Sequence, residues 1–321
     1  MFTLVVDFFD ERRDGILLTR AAVPTYAGIQ SKQQNLGKTH TKGYEVELKF
    51  QWSSADGDWY VFAKPMMGFS DNRIISKDEP MYAPAYKKAQ GYRIGQIFAY
   101  HHTGYIQDAD AYMASPAYGG KNYGLGSTEY VDFNGDGIID DNDMFAYGYS
   151  QTYPLYNYAL SLGFSWKNFD FDMMFQAATH LTRQTVDIFS WSLHRLSNQV
   201  FEYQLDTWTP YNRDARYPAI HTENYRQHDN VGADGVARTV HLYDASYIRL
   251  KNVNVSYRLP QRAVKKMGLN SMKFYVRANN LFTYAPNYPL ADPEASDSGG
   301  NITNAYYPMT RTISLGVQLG F

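Results

Sequence analysis

The sequence predicts an all-β chain, an antiparallel transmembrane β-barrel segment of about ten strands. Three observations lead there. The closing stretch 310–321 alternates without a slip. Ile313, Leu315, Val317, Leu319 and Phe321 are apolar, whereas Thr312, Ser314, Gly316, Gln318 and Gly320 are polar or tiny. A two-residue period puts the two sets on opposite faces of one strand. Second, the strand after Lys167-Asn168 alternates Phe169, Phe171, Met173 and Phe175 with Asp170, Asp172, Met174 and Gln176. Two carboxylates on an inward face are costly in a dry core and harmless in a water-filled lumen. Third, the connections are unequal. Those at 53–58 and 167–168 are very short, while 71–92, 106–151, 178–244 and 284–309 are long and rich in Tyr, Asn, Asp, Gly and Pro. Short turns at one rim and long loops at the other are the pattern of outer-membrane barrels, with the long loops outside.

The elements follow in order. Phe2-Thr3-Leu4-Val5-Val6-Asp7-Phe8-Phe9 reads as a first strand. In the next hairpin Tyr44, Val46, Leu48, Phe50 and Trp52 alternate with Glu45, Glu47, Lys49 and Gln51, and the chain turns around Asp56-Gly57-Asp58. The return strand begins near Trp59, its phase blurred by Pro65. A strand is expected around 96–105. The clearest hairpin spans 156–177, with Tyr158, Leu160, Leu162, Phe164 and Trp166 on one face. Trp52 and Trp59 flank one turn, and Trp166 and Phe169 the other, where an aromatic belt would sit. Further strands are expected at 246–259, 272–283 and 311–321. In 246–259 the apolar phase changes between Leu250 and Val253, which predicts a bulge near Lys251-Asn252. Each strand is roughly ten residues, the length of a tilted membrane strand.

Composition sets limits. The 321 residues carry a net charge of −2, no Cys, 29 Tyr and 16% aromatic residues. Mean hydropathy is −0.48. No apolar run approaches the ~20 residues of a membrane helix, but strand alternation hides a greasy face from any averaging window. The absence of Cys excludes disulfide scaffolds and thiol chemistry. A near-neutral charge offers no electrostatic case for nucleic acid. There is no phosphate-cradling glycine loop, no G-x-S-x-G elbow and no H-E-x-x-H, so the chain is not expected to be an enzyme. His101-His102 is read as structural, because adjacent side chains on a strand face opposite ways.

One loop carries metal-type spacing. In the twelve residues 132–143, Asp132, Asn134, Asp136, Asp140 and Asp143 put side-chain oxygens at positions 1, 3, 5, 9 and 12. Gly137 stands at the sharp-turn position, and Ile138 offers its carbonyl at position 7. That is the EF-hand-type calcium order, with Asp143 replacing the usual Glu. With no flanking amphipathic helices and no second copy, a structural Ca2+ clip is expected rather than a sensor.

Four stretches resemble the C-terminal part of the SusC/RagA family of TonB-linked outer-membrane transporters of Bacteroidetes. The first is 3–18 followed by Asn35-Leu36-Gly37-Lys38-Thr39-His40-Thr41-Lys42-Gly43-Tyr44-Glu45, with Thr41 where Asn is common. The second is Tyr130-Val131-Asp132-Phe133-Asn134-Gly135-Asp136-Gly137-Ile138-Ile139-Asp140, then Tyr153-Pro154 and the hairpin to Asp170. The third is Trp208-Thr209-Pro210-Tyr211-Asn212 with Tyr217-Pro218. The fourth is Asp244-Ala245-Ser246-Tyr247-Ile248-Arg249-Leu250-Lys251-Asn252-Val253, then Asn279-Asn280-Leu281-Phe282, Tyr307-Pro308 and Phe321. Gln176-Ala177-Ala178-Thr179-His180 departs from the family's glycines. The resemblance implies a barrel of about 22 strands with a plugged lumen, energy from a TonB complex, a SusD-like lipoprotein lid, and oligosaccharide or peptide cargo. Residues 1–321 would then supply the last ten strands in contact with outer-membrane lipid, with the plug domain and signal peptide upstream. A complete ten-stranded channel or outer-membrane enzyme, and a soluble calcium-dependent carbohydrate-binding β-protein, are the alternatives.

Overall fold

The computed structural model describes residues 1–20, 33–118, 124–186, 189–190, 200–220, 237–288, 292–294, 301–302 and 309–321. Eight strands form one sheet: β1 (Phe2–Thr19), β2 (Gln33–Ser53), β3 (Trp59–Ser76), β4 (Tyr156–Trp166), β5 (Phe169–Thr179), β6 (Tyr247–Arg258), β7 (Ser271–Tyr284) and β8 (Thr312–Gly320). Each is hydrogen-bonded to its neighbours in the chain, all antiparallel, with β1 and β8 as the two edges. The connections alternate without exception. Residues 54–58, 167–168 and 259–270 join strands at one end; the connections from Thr19 to Gln33, Ser76 to Tyr156, Thr179 to Tyr247 and Tyr284 to Thr312 leave and re-enter the sheet at the other.

The register keeps the two faces apart. Val6, Val46, Met67 and Tyr158 stand in one cross-strand row, and Trp52, Val61 and Phe164 in another. The apolar rows continue through Phe171, Val255, Val276 and Leu315 to the far edge. Pro65 does not disturb this phase. It sits opposite Leu160 on the apolar face, while its missing N–H interrupts the ladder to β2 between Glu47 and Phe50.

The expected bulge is present. Leu250 pairs with Phe282 and Asn252 with Asn279, so Lys251 faces two residues, Asn280 and Leu281. The same step breaks the register with β5. Asn280 adopts φ 53°, a left-handed conformation that Asn tolerates better than most residues. One extra residue moves Asn252, Asn254 and Ser256 onto the face already held by Tyr247, Arg249 and Lys251.

The apolar band has two edges. Toward the long loops, Phe8, Tyr44, Phe69 and Tyr156 form one row across four strands, with ring centroids 6.4, 5.3 and 5.0 Å apart. The next row on the same face is Asp10, Lys42 and Asp71. At the turn end, Trp59 stacks on Trp166 at 5.6 Å, and Trp52 is half exposed. On β4, Tyr156 and Trp166 are ten steps apart. That is roughly 33 Å of strand, or about 25 Å of height at a tilt near 40°. This matches the apolar band of an outer-membrane barrel.

The segment 96–105 is not a wall strand. It divides into Gln96–Tyr100, paired with Phe145–Ser150 and Ala237–Arg238, and His102–Tyr105, paired with Thr128–Tyr130. Ile97, Ala99 and Tyr100 are all buried, so the segment lacks the two-faced pattern of a wall strand. The described wall accordingly has eight strands, and no described residue between 77 and 155 forms a strand of it. β1 continues past residue 9 to Thr19, and β3 to Ser76. The buried core belongs to this loop crown: Leu181 with Tyr217, Tyr243, Ala245 and Tyr288, and Tyr105 with Trp208 and Ala215.

Three inner-face glycines lie under aromatic rings of the paired residue: Gly43 under Phe9, Gly163 under Phe62 and Gly316 under Tyr275. A Cβ at any of these positions would meet the ring. Gly316→Ala should therefore displace Tyr275 and lower stability by roughly 1–3 kcal/mol. The measurement is urea unfolding of the folded protein in detergent. An unchanged midpoint would show that the ring moves aside freely.

Candidate functional site: a polar inner face beneath the loop crown

The inner face is built from the polar half of each strand. Asp172 accepts from Asn254 Nδ2 at 2.7 Å, and Asp170 from both Ser256 Oγ at 3.3 Å and Arg258 Nη2 at 3.0 Å. Lys64 Nζ lies 2.8 Å from Glu47. A groove of about 420 Å3 crosses β1 to β5 on this face, with Asp7, Glu45, Glu47, Met66, Met174 and Gln176 among its walls. The carboxylates that made a dry core implausible thus each find a donor.

The crown is tied to the wall by a buried arginine. Arg249 has no exposed surface. It donates to Glu294 at 2.8 Å, Asp292 at 2.5 Å and Thr283 Oγ1 at 2.9 Å. Lys251 Nζ and the Tyr247 hydroxyl each donate to Glu294 at 2.8 Å. Two carboxylates, two cations and a phenol therefore satisfy one another, which is the condition under which buried charge is tolerated. Burial opposes ionisation of Glu294. The hydrogen bonds from Lys251 and Tyr247, with the Arg249 charge, outweigh it and hold the carboxyl below its ordinary range. The sequence offered Tyr247-Ile248-Arg249-Leu250-Lys251 as an alternating stretch, but its carboxylate partners lie more than forty residues away and carry no local signal.

The crown holds its own recess of about 440 Å3, with Tyr203, Asp206, Arg216, Tyr243 and Asp244 in its walls. The Arg216 guanidinium lies 5.4 Å above the Tyr243 ring, and the hydroxyls of Tyr217 and Tyr243 are 2.7 Å apart. Phenol faces, a cation and two carboxylates in one recess suit a polar ligand with a ring or amide plane to stack. Burial lowers the affinity of His101 and His102 for protons. His101 stacks on Phe145 at 3.5 Å, in keeping with the packing role expected of the pair.

The acidic loop is closed on itself. Asp132 accepts from the N–H groups of Gly135, Asp136 and Gly137 at 2.7, 3.2 and 2.8 Å. Asn134 Oδ1 accepts from Asp136 N, and Asp136 Oδ1 from Ile138 N. Asp140 caps a short turn through Asn142 N at 2.7 Å. Asp143 is fully buried, and its two oxygens take the N–H groups of Phe133, Asn134 and Asp140. It joins the two ends of the loop. Among the described residues, no three acidic or histidine side chains converge on a common point. The oxygen-rich donor set suits a hard cation, and ligation would require these side chains to exchange N–H partners for the ion.

Comparison with known proteins finds relatives in sequence and in fold. No family model matches the chain. TonB-dependent receptor P3 of Formosa agariphila is 26% identical across 99% of this chain and 32% of its own length; TonB-dependent receptor P26 of the same organism is 27% identical across 95% and 31%. Among solved structures, the RagAB peptide transporter aligns with all of this chain and 33% of its own, with a TM-score of 0.72 at 21% identity. The RagAB peptide importer in its open-open state gives 0.70. The chain is thus similar in sequence to two TonB-dependent receptors. Its fold matches part of the RagAB barrel, as the resemblance to the SusC/RagA family implied. It spans about a third of the length of the relatives it matches, and those relatives are receptors and transporters. Tyr307-Pro308, part of that resemblance, lies outside the described residues.

The buried arginine yields a test. Arg249→Met should leave Asp292 without its cation, speed hydrogen exchange at 292–294 and cost roughly 3–5 kcal/mol. The contribution of Glu294 should be full above its ordinary value of 4.5 and fade as pH falls from there through the lowered folded value. Exchange mass spectrometry at pH 7 and pH 3 reads both effects. Exchange at 292–294 that ignores both the substitution and the acid would refute the tie.

Proposed function

We propose that the protein is the barrel wall and loop crown of an outer-membrane importer that takes up oligosaccharides or peptides, driven by a TonB complex and lidded by a SusD-like lipoprotein. One observation carries the reading. An apolar band of about 25 Å runs across the strands, edged by an aromatic row over β1 to β4 on the loop side and by Trp59 and Trp166 on the turn side, with charge one step beyond the upper row. A soluble sheet has no reason to limit its greasy surface to that height. The short turns would then face the periplasm and the crown the outside. The polar inner face would line the path, and the chain would do no covalent chemistry.

The absence of Cys allows a direct test of orientation. Tyr211, fully exposed in the crown, and Asp56, in a short turn, can each be changed to Cys. A membrane-impermeant maleimide should label Tyr211→Cys in intact cells and Asp56→Cys only after the outer membrane is opened. The reverse pattern would overturn the reading. Loss of growth on a single oligosaccharide or peptide class after gene deletion would identify the cargo.

Calcium belongs to the same reading. Asp132, Asn134, Asp136, Asp140 and Asp143, with the Ile138 carbonyl, supply the oxygen types and spacing for one ion. The ion's part would be modest: to hold 132–143 in shape where calcium is plentiful. Saturating Ca2+ at about 100 times Kd should stabilise the protein by roughly 2.7 kcal/mol, and Asp132→Asn with Asp136→Asn should abolish that gain. Calorimetry showing no calcium effect in the unaltered protein would remove the ion from the account.

A further inference from the structure

From 258 to 280 the sequence contains Arg258, Arg262, Lys265, Lys266, Lys273 and Arg277 and not one acidic residue. Two of these cations are engaged on the inner face: Arg258 with Asp170 at 3.0 Å, and Arg277 over the Tyr275 ring at 4.8 Å. Arg262, Lys265 and Lys266 are different. They lie on the one-and-a-half-turn helix Gln261–Lys266 that joins β6 to β7 at the short-turn rim. All three are exposed, and no carboxylate among the described residues pairs with them. The helix is pinned by Val264, which is buried, and is followed by Met267, 57% exposed.

Beside this turn the apolar face holds a shallow recess of about 430 Å3. Val255, Tyr257, Phe274, Val276, Leu315 and Val317 form its sides. Tyr257 pairs with Phe274 in the row next to Arg258 and Lys273, the last pair before the turn. The recess therefore ends one row short of the connection that carries Arg262, Lys265 and Lys266. A free anion would use only the cations, and an apolar partner only the recess. A molecule with an acyl chain and an anionic head uses both.

We propose that this corner binds one anionic phospholipid, an acyl chain in the recess and the phosphate at Arg262, Lys265 and Lys266. The inference rests on the reading that the apolar face meets lipid. Each basic residue near an anionic lipid surface contributes roughly fivefold in affinity, so three give on the order of a hundredfold before screening.

The test uses the whole protein purified from membranes in a neutral detergent and titrated with phosphatidylglycerol or phosphatidylcholine under native mass spectrometry. Phosphatidylglycerol should be retained at least tenfold better. The preference should vanish in R262Q/K265Q/K266Q, persist in the crown control K87Q/K88Q, and shrink as salt rises. Equal retention of the two lipids, or a preference unchanged in the triple variant, would overturn the proposal and leave a solvated charge run. A dimer in the same spectra that excludes lipid would overturn it in favour of a second copy on this face. Quenching of tryptophan fluorescence by brominated phosphatidylcholine in proteoliposomes separates the two layers of argument. Quenching without phosphatidylglycerol preference sinks this inference alone, and no quenching sinks the membrane reading with it.

Discussion

The rest of the structure depends on register. The wall is a single layer with an apolar and a polar face, so a slip of one residue in any strand would turn all its side chains to the wrong face. A sandwich can absorb such errors by repacking a core, but this sheet has no core of its own to repack. The seven antiparallel pairings therefore act as one device, and rows such as Val6–Val46–Met67–Tyr158 are its visible result. The bulge at Lys251 is a controlled exception. It shifts the phase once, between Leu250 and Asn252, and the neighbouring strands accommodate it on both sides.

Wall and crown are held by different forces. In the crown, stability follows ordinary burial: tyrosines, Trp208 and small aliphatic residues close several compact clusters. In the wall, backbone hydrogen bonding and the match between side-chain polarity and surroundings replace such a core. Arg249 links the two regimes. It belongs to a wall strand, yet its carboxylate partners come from the connection after β7. Its charge is compensated within hydrogen-bond distance, and the connection gains a fixed point against the inner face.

Legibility in the sequence follows the same division. The 169–177 strand and the final strand were readable because each must be greasy on one face and wet on the other, and a period of two records that demand directly. Lys251-Asn252 was readable as a bulge because the phase visibly jumps. The residues 10–19 were not, since above the aromatic row neither face needs to be apolar, and Asp10-Glu11-Arg12-Arg13-Asp14 resembles a loop. The strand expected at 96–105 failed for the opposite reason: its residues are apolar for a crown core, which imposes no alternation. The oxygen spacing of 132–143 was legible. That Asp143 would be buried and used to join the loop ends was not, because it depends on packing against the rest of the crown.

Phe62 over Gly163 and Tyr275 over Gly316 bear on how the chain can vary over generations. In each pair, one position is free to lack a side chain because the other supplies a ring across the strand gap. Neither residue is then an independent character. A larger residue in place of the glycine is blocked while the ring remains, and loss of the ring leaves bare backbone facing the bore. Change is open mainly to both positions together, so such pairs should drift as linked units and keep the inner surface even while loops on the far side diverge.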